Sequence, residues 1–141
     1  MLGVSITNFV VPWRDRLFLK TTKRRCRFIN RNYDLRIDKG VAGDFYTTGE
    51  CLACELPEME APKLLAELTD ENYDTYFVRQ PESTDEIAQA IAAANSCCVD
   101  AVRYSGKDKN IIRRLNPGVS DFKIGIFGNV VPANCPWWKL W

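Results

Sequence analysis

The sequence predicts an α+β fold: a small core of short paired strands and two helices, drawn out at both ends into extensions. Three observations lead there. Residues 57–68 and 83–95 carry helical periodicity. Short runs at 34–38, 73–79 and 99–104 favour strands and are closed by Gly40, Pro81 and Gly106. A chain of 141 residues, 46% hydrophobic and 26% charged, is long enough for one compact domain and short for two.

Taken in order, Phe9-Val10-Val11 ends at Pro12, and Leu17-Phe18-Leu19 leads into a basic cluster of Lys20, Lys23, Arg24, Arg25 and Arg27. Such a cluster beside Phe18 and Phe28 could touch nucleic acid, but with a net charge of +1 a solvated or ion-paired face is the expectation. Alternation in Asp34-Leu35-Arg36-Ile37-Asp38 reads as a half-buried strand, followed by a loop at Gly40 and Gly43. From Pro57 to Leu68 the pattern predicts a helix with Leu64, Leu65 and Leu68 on one side and Pro62 tolerated in its first turn. Asp70-Glu71-Asn72 then turns the chain into a strand at 73–79, rich in aromatic and β-branched residues.

The next helix has the clearest signal. Ser83 and Glu86 have capping-box spacing, Asp85 and Glu86 suit the positive end of the helix dipole, and Ile87, Ala90, Ile91 and Ala94 form one apolar face. Cys97 and Cys98 come directly afterwards and lead into a short strand at 99–104. Asn116-Pro117-Gly118 marks a turn, 122–127 a further strand, and the last five residues contain Trp137, Trp138 and Trp141, expected to pack on the domain or else to bury in a partner.

Composition narrows the chemistry. No histidine is present, which removes His-based acid–base catalysis, Ser–His and Cys–His pairs and His-containing metal sites. No phosphate-binding glycine loop or nucleophile–base spacing is visible either, so an enzyme is not expected. No apolar run is long enough to span a bilayer, and residues 1–11 lack a basic leader and cleavage site, so the expected compartment is cytoplasmic with no membrane partner. Charge is segregated: residues 1–44 carry +6, residues 45–105 carry −9, and residues 106–141 carry +4. The expectation is that the basic flanks fold against the acidic centre.

Six cysteines occur, Cys26, Cys51, Cys54, Cys97, Cys98 and Cys135; a reducing cytosol argues against a full disulfide set. Cys26 and Cys135 read as core or surface thiols. Cys51-Leu52-Ala53-Cys54 is a C-x2-C pair, which can be a redox dithiol, half of a zinc site, or the opening of an iron–sulfur loop, since two thiolates three positions apart can converge on one centre. A thioredoxin-like role needs a long helix after the pair, and Pro57 and Pro62 cut that helix short. Glu55, Glu58 and Glu60 read as a solvated acidic face.

The frame around the pair singles out the third option. Cys51-Leu52-Ala53-Cys54-Glu55-Leu56-Pro57 is followed by Ala61-Pro62, a strand, a helix, and then Cys97-Cys98-Val99-Asp100-Ala101-Val102. From about Leu35 to Gly106 this order resembles single-cluster bacterial-type ferredoxins, which run C-x2-C-x2-C, a short helix near Ala-Pro, a strand, a longer acidic helix and Cys-Pro-Val-x-Ala-Ile. The resemblance implies a ferredoxin-type core over 35–106, a basic extension over 1–34 and an aromatic-rich one over 107–141, within a single domain. It also implies that Cys51, Cys54 and Cys97 hold an iron–sulfur cluster and that the protein carries electrons to a redox partner protein. Two departures stand out: the third ligand position falls on Pro57, and Cys98 replaces the proline after the last cysteine.

The departures leave several outcomes. A 4Fe-4S cluster would take its fourth ligand from Cys98, Glu55, Glu58 or an outside group, whereas a 3Fe-4S form needs only three. Zinc on Cys51, Cys54, Cys97 and Cys98 is disfavoured because neighbouring side chains diverge. In the remaining outcome the cluster is lost and the fold serves as a cofactor-free binding protein, of inhibitor or immunity type, whose partner is another protein.

Overall fold

The computed structural model describes residues 31–136. The basic cluster of 20–27, Cys26 and the terminal tryptophans lie outside the described residues, as do the apolar runs of 9–11 and 17–19. Among the described residues the expected α+β architecture is present: four helices and two antiparallel two-stranded sheets. In chain order these are α1 (Arg31–Asp34), β1 (Phe45–Thr47), α2 (Leu56–Glu60), α3 (Thr84–Ser96), β2 (Val102–Tyr104), α4 (Lys109–Arg114), β3 (Phe122–Ile124) and β4 (Val130–Pro132). Among the described residues no helix is long and apolar enough to cross a membrane.

The first sheet pairs β1 with β2, setting Phe45 opposite Tyr104, Tyr46 opposite Arg103 and Thr47 opposite Val102. Its inner face carries an aromatic cluster in which the Phe45 ring lies 4.8 Å from that of Tyr104 and 5.9 Å from that of Phe77. The expected strand at 34–38 contributes only one bridge, Arg36 to Thr48, with Ile37 N–H donating to Thr47 O, because the chain leaves α1 at Asp34 and turns again at Gly40.

The helix expected at 57–68 is much shorter and stops at Glu60. The cause is Pro62. A residue before proline is pushed out of the helical region, and Ala61 sits at φ −133°, ψ 59°. Leu64 and Leu65 are still buried, but from a turn. There the chain pairs with 76–78, Ala66 N–H donating to Tyr76 O and Val78 N–H to Leu64 O. Residues 73–79 are therefore extended but form no regular strand: a single bridge joins Leu65 to Phe77, and the other edge is met by a loop through Val41 N–H to Phe77 O.

The helix expected over 83–95 spans Thr84–Ser96, and its capping box is complete: the Ser83 hydroxyl accepts from Glu86 N–H while the Glu86 carboxylate accepts from Ser83 N–H. Ala90, Ile91, Ala93 and Ala94 are buried, and the small side chains allow close approach to α2. Burying such a face stabilises the helix more than propensity does.

The C-terminal extension belongs to the same core. Asp108 caps α4, accepting from Asn110 N–H at 2.7 Å, and Ile112, Leu115, Val119 and Phe122 join the cluster that holds Phe45, Leu64, Phe77 and Val102. The turn expected at Asn116–Gly118 forms, with Gly118 at φ 98°. The strand expected at 122–127 ends at Ile124, where a turn through Gly128, φ 71°, returns the chain along β4. Tyr46 Oη donates to Asp121 Oδ2 at 2.9 Å, and Arg103 reaches Asp121 Oδ1 at 3.3 Å. That ion pair reverses the polarity expected from the charge pattern, since the cation lies in the acidic segment and the anion in the basic flank. Cys135 is not a free thiol as expected; it is buried and disulfide-bonded.

Candidate functional site

The four cysteines singled out by the sequence lie on two turns: Cys51 and Cys54 on the loop before α2, Cys97 and Cys98 at the end of α3. All four are free thiols. Both turns take backbone conformations that L-residues avoid. Ala53, at φ 50°, and Glu55, at φ 62°, are left-handed in the first, and Asp100, at φ 51°, in the second. Such conformations cost on the order of 1–2 kcal/mol each for a residue with a side chain, so surrounding contacts must hold them in place.

The bends aim amides at sulfur. Ala53 N–H donates to Cys51 Sγ and Ala101 N–H to Cys97 Sγ, both at 3.3 Å. Donors of this kind stabilise negative charge on sulfur, as ligand thiolates require. Cys97 is buried whereas Cys98 is exposed, so the adjacent pair diverges as expected. Cys98 instead faces the other turn, its Sγ 3.8 Å from Cys54 Sγ. Its thiol is held above the usual cysteine range, first because it donates to Cys54 and then through desolvation and the nearby Cys54 and Cys97 sulfurs. Cys51 does not join this pair. It contacts Thr75 Oγ1 at 2.9 Å, and Thr75 in turn donates to Glu58 Oε1. Because the single hydroxyl proton of Thr75 goes to Glu58, sulfur is the donor in the Cys51–Thr75 contact. Glu58 Oε2 is buried and without a hydrogen-bond partner.

Among the described residues no three Cys, Asp or Glu side chains close on a point as ligands of a single metal ion. Pro57, at the position resembling the third ligand, is fully buried in the first turn of α2, its carbonyl accepting from Ala61 N–H. Around the cysteines, Leu52 (68% exposed), Leu56 and Met59 (74%) project into solvent between the exposed Glu50, Glu55 and Glu60. A groove of about 570 Å³ runs beside α2, lined by Glu55, Glu58, Met59, Pro62, Glu67 and Leu68 among others.

Sequence reasoning missed Thr75. A signal existed, because Thr75 shares strand parity with Phe77 and a polar residue at an inward position calls for a buried partner. It also missed the Cys54–Cys98 contact, which depends on both turns. Compared with protein-family models, curated proteins and solved structures, the chain matches none.

Proposed function

We propose that this protein is a small ferredoxin-like electron carrier whose two cysteine turns hold one iron–sulfur cluster, with Cys51, Cys54 and Cys97 as ligands and Cys98 as the fourth. The observation that carries the reading is the pair of amide-to-sulfur hydrogen bonds, Ala53 to Cys51 and Ala101 to Cys97, set up by left-handed turns at non-glycine residues. The donor types support the reading: four free thiols on two turns, two of them already served by backbone donors, although Cys51 stands apart from the Cys54–Cys98 pair. When bound, the cluster supplies one-electron transfer. The chain supplies the rest. Cys51 gives up its proton on ligation, and the Thr75 hydroxyl can then turn from Glu58 to the sulfur, replacing a donated bond by an accepted one. Leu52 and Leu56 lie exposed; with Met59 they offer a docking patch rimmed by carboxylates, suited to a redox partner with a basic rim.

A second reading, a cluster-free protein that binds another protein, is favoured by the Cys51–Thr75–Glu58 hydrogen-bond chain, which engages Cys51 without a metal, and by the buried ring of Pro57. Iron and acid-labile sulfide, measured with a visible spectrum on protein purified without oxygen, separate the two. Stoichiometric iron and sulfide, lowered at least several-fold in Cys51→Ser, support the carrier. A colourless, iron-free, folded protein supports the scaffold, and unchanged iron in Cys51→Ser overturns the ligand assignment.

A further inference from the structure

The geometry points to a function for Cys54 and Cys98 that does not depend on iron: we propose that they form a redox-active dithiol, closing reversibly to a disulfide between the two turns. Their sulfurs are 3.8 Å apart across 44 residues of sequence. A disulfide needs about 2.05 Å, so closure requires an approach of under ~2 Å, within reach of side-chain rotation at an exposed Cys98. The other two thiols do not compete. Cys51 is engaged by Thr75 and the Ala53 amide, and Cys97 is buried beneath the Ala101 amide. Access favours Cys98, the exposed member of the four, while Cys54 is half-buried like Cys51 and is selected by its distance to Cys98. An exposed bond between strained turns belongs with the labile disulfides rather than the structural ones.

The reaction is thiol–disulfide exchange with a low-molecular-weight disulfide. One of the two thiols attacks, as its thiolate, one sulfur of the oxidant and expels the other as thiolate, leaving a mixed disulfide on that cysteine. The second protein thiolate then attacks the protein sulfur of the mixed disulfide and expels the second small thiolate. Two protein thiols are oxidised, one disulfide is reduced to two thiols, and the protons pass to the released thiolates.

The full-length chain, mildly reduced and freed of metal by chelator, is equilibrated with oxidised glutathione, alkylated and mapped by mass spectrometry. The expected result is loss of two alkylatable thiols, those of Cys54 and Cys98, as a linked peptide that excess reduced glutathione reopens. Cys51→Ser retains the link. Cys98→Ser abolishes it and leaves Cys54 alkylatable or carrying a glutathione. Persistent alkylation of both cysteines at saturating oxidant overturns the proposal, as does a link between Cys51 and Cys54. Because the readout is a thiol count on metal-free protein, failure of the iron–sulfur reading leaves it untouched.

Discussion

Tyr46→Phe tests what ties the C-terminal extension to the first sheet. Tyr46 is 2% exposed, and its hydroxyl donates to Asp121 Oδ2 at 2.9 Å, while Arg103, opposite Tyr46 in the ladder, reaches Oδ1. Removing the hydroxyl removes one hydrogen bond to a buried carboxylate and almost no packing volume. Bonds to charged groups contribute roughly 1.5–3 kcal/mol, so the expected loss is about 2 kcal/mol, or roughly 8 °C in Tm for a chain of this size. Asp121→Ala also strips the ion-pair partner from Arg103, whose side chain is only 12% exposed and keeps its bond to Gly118 O, and is expected to cost about 3–5 kcal/mol. In a double-mutant cycle the two changes should not add, since both break the same network. Urea titration followed by circular dichroism measures all three. The pH dependence gives a second check. Burial first, and Asp121 next, hold the Tyr46 hydroxyl well above its ordinary range, so the folded state keeps a proton that the unfolded state loses near pH ~10. Stability from this group is complete below that pH and falls as pH rises beyond it, a fall that Tyr46→Phe should make shallower. A loss under about 0.5 kcal/mol with an unchanged alkaline slope would refute the reasoning, because the carboxylate would then be satisfied without the tyrosine.

The start of α3 offers two further tests. Ser83→Ala removes the hydroxyl that accepts from Glu86 N–H and should cost about 1 kcal/mol in urea denaturation without altering the thiol count. Glu86 is held down to about 2, chiefly by Arg79 and then by backbone donors, against an ordinary value of 4.5. Its contribution is therefore present above about pH 4.5 and lost as pH falls toward 2, and Glu86→Gln should flatten stability across that window in an acid titration.

How far the sequence revealed this fold depended on whether a signal was local. The helix α3 was legible because its cap, first-turn acids and apolar face all lie within 13 residues. Over 57–68 the leucine spacing fitted a helix equally well as a buried turn; Pro62 decided the matter through the conformation of Ala61, a constraint that outweighs periodicity. Neither α4 nor β4 was foreseen, although Asp108 ahead of Ile111 and Ile112 was an available cap signal; six- and three-residue elements hold through tertiary contacts rather than their own pattern. At the site, the Cys51–Cys54 spacing could be read directly. The approach of Cys98 to Cys54 could not, because it rests on left-handed conformations at Ala53, Glu55 and Asp100 that no glycine announces.

Those turns also bear on why Pro57 and Cys98 occur together. Within the ferredoxin-like reading, the chain lacks a thiol at 57 and has an additional one at 98, so four cysteines still stand on the two turns. The exchange is not neutral in position. The Pro57 ring is fully buried at the start of α2, whereas Cys98 is exposed and faces Cys54. On that reading a donor at 98 rather than at 57 would be open to solvent and to small disulfides, which would make a bound metal more labile and the empty site easier to oxidise. Both proposals thus turn on Cys98, which would complete the donor set of a bound cluster and would close on Cys54 in its absence. In a protein with proline at 98 and cysteine at 57, the bound state would be less labile and the Cys54–Cys98 link could not form.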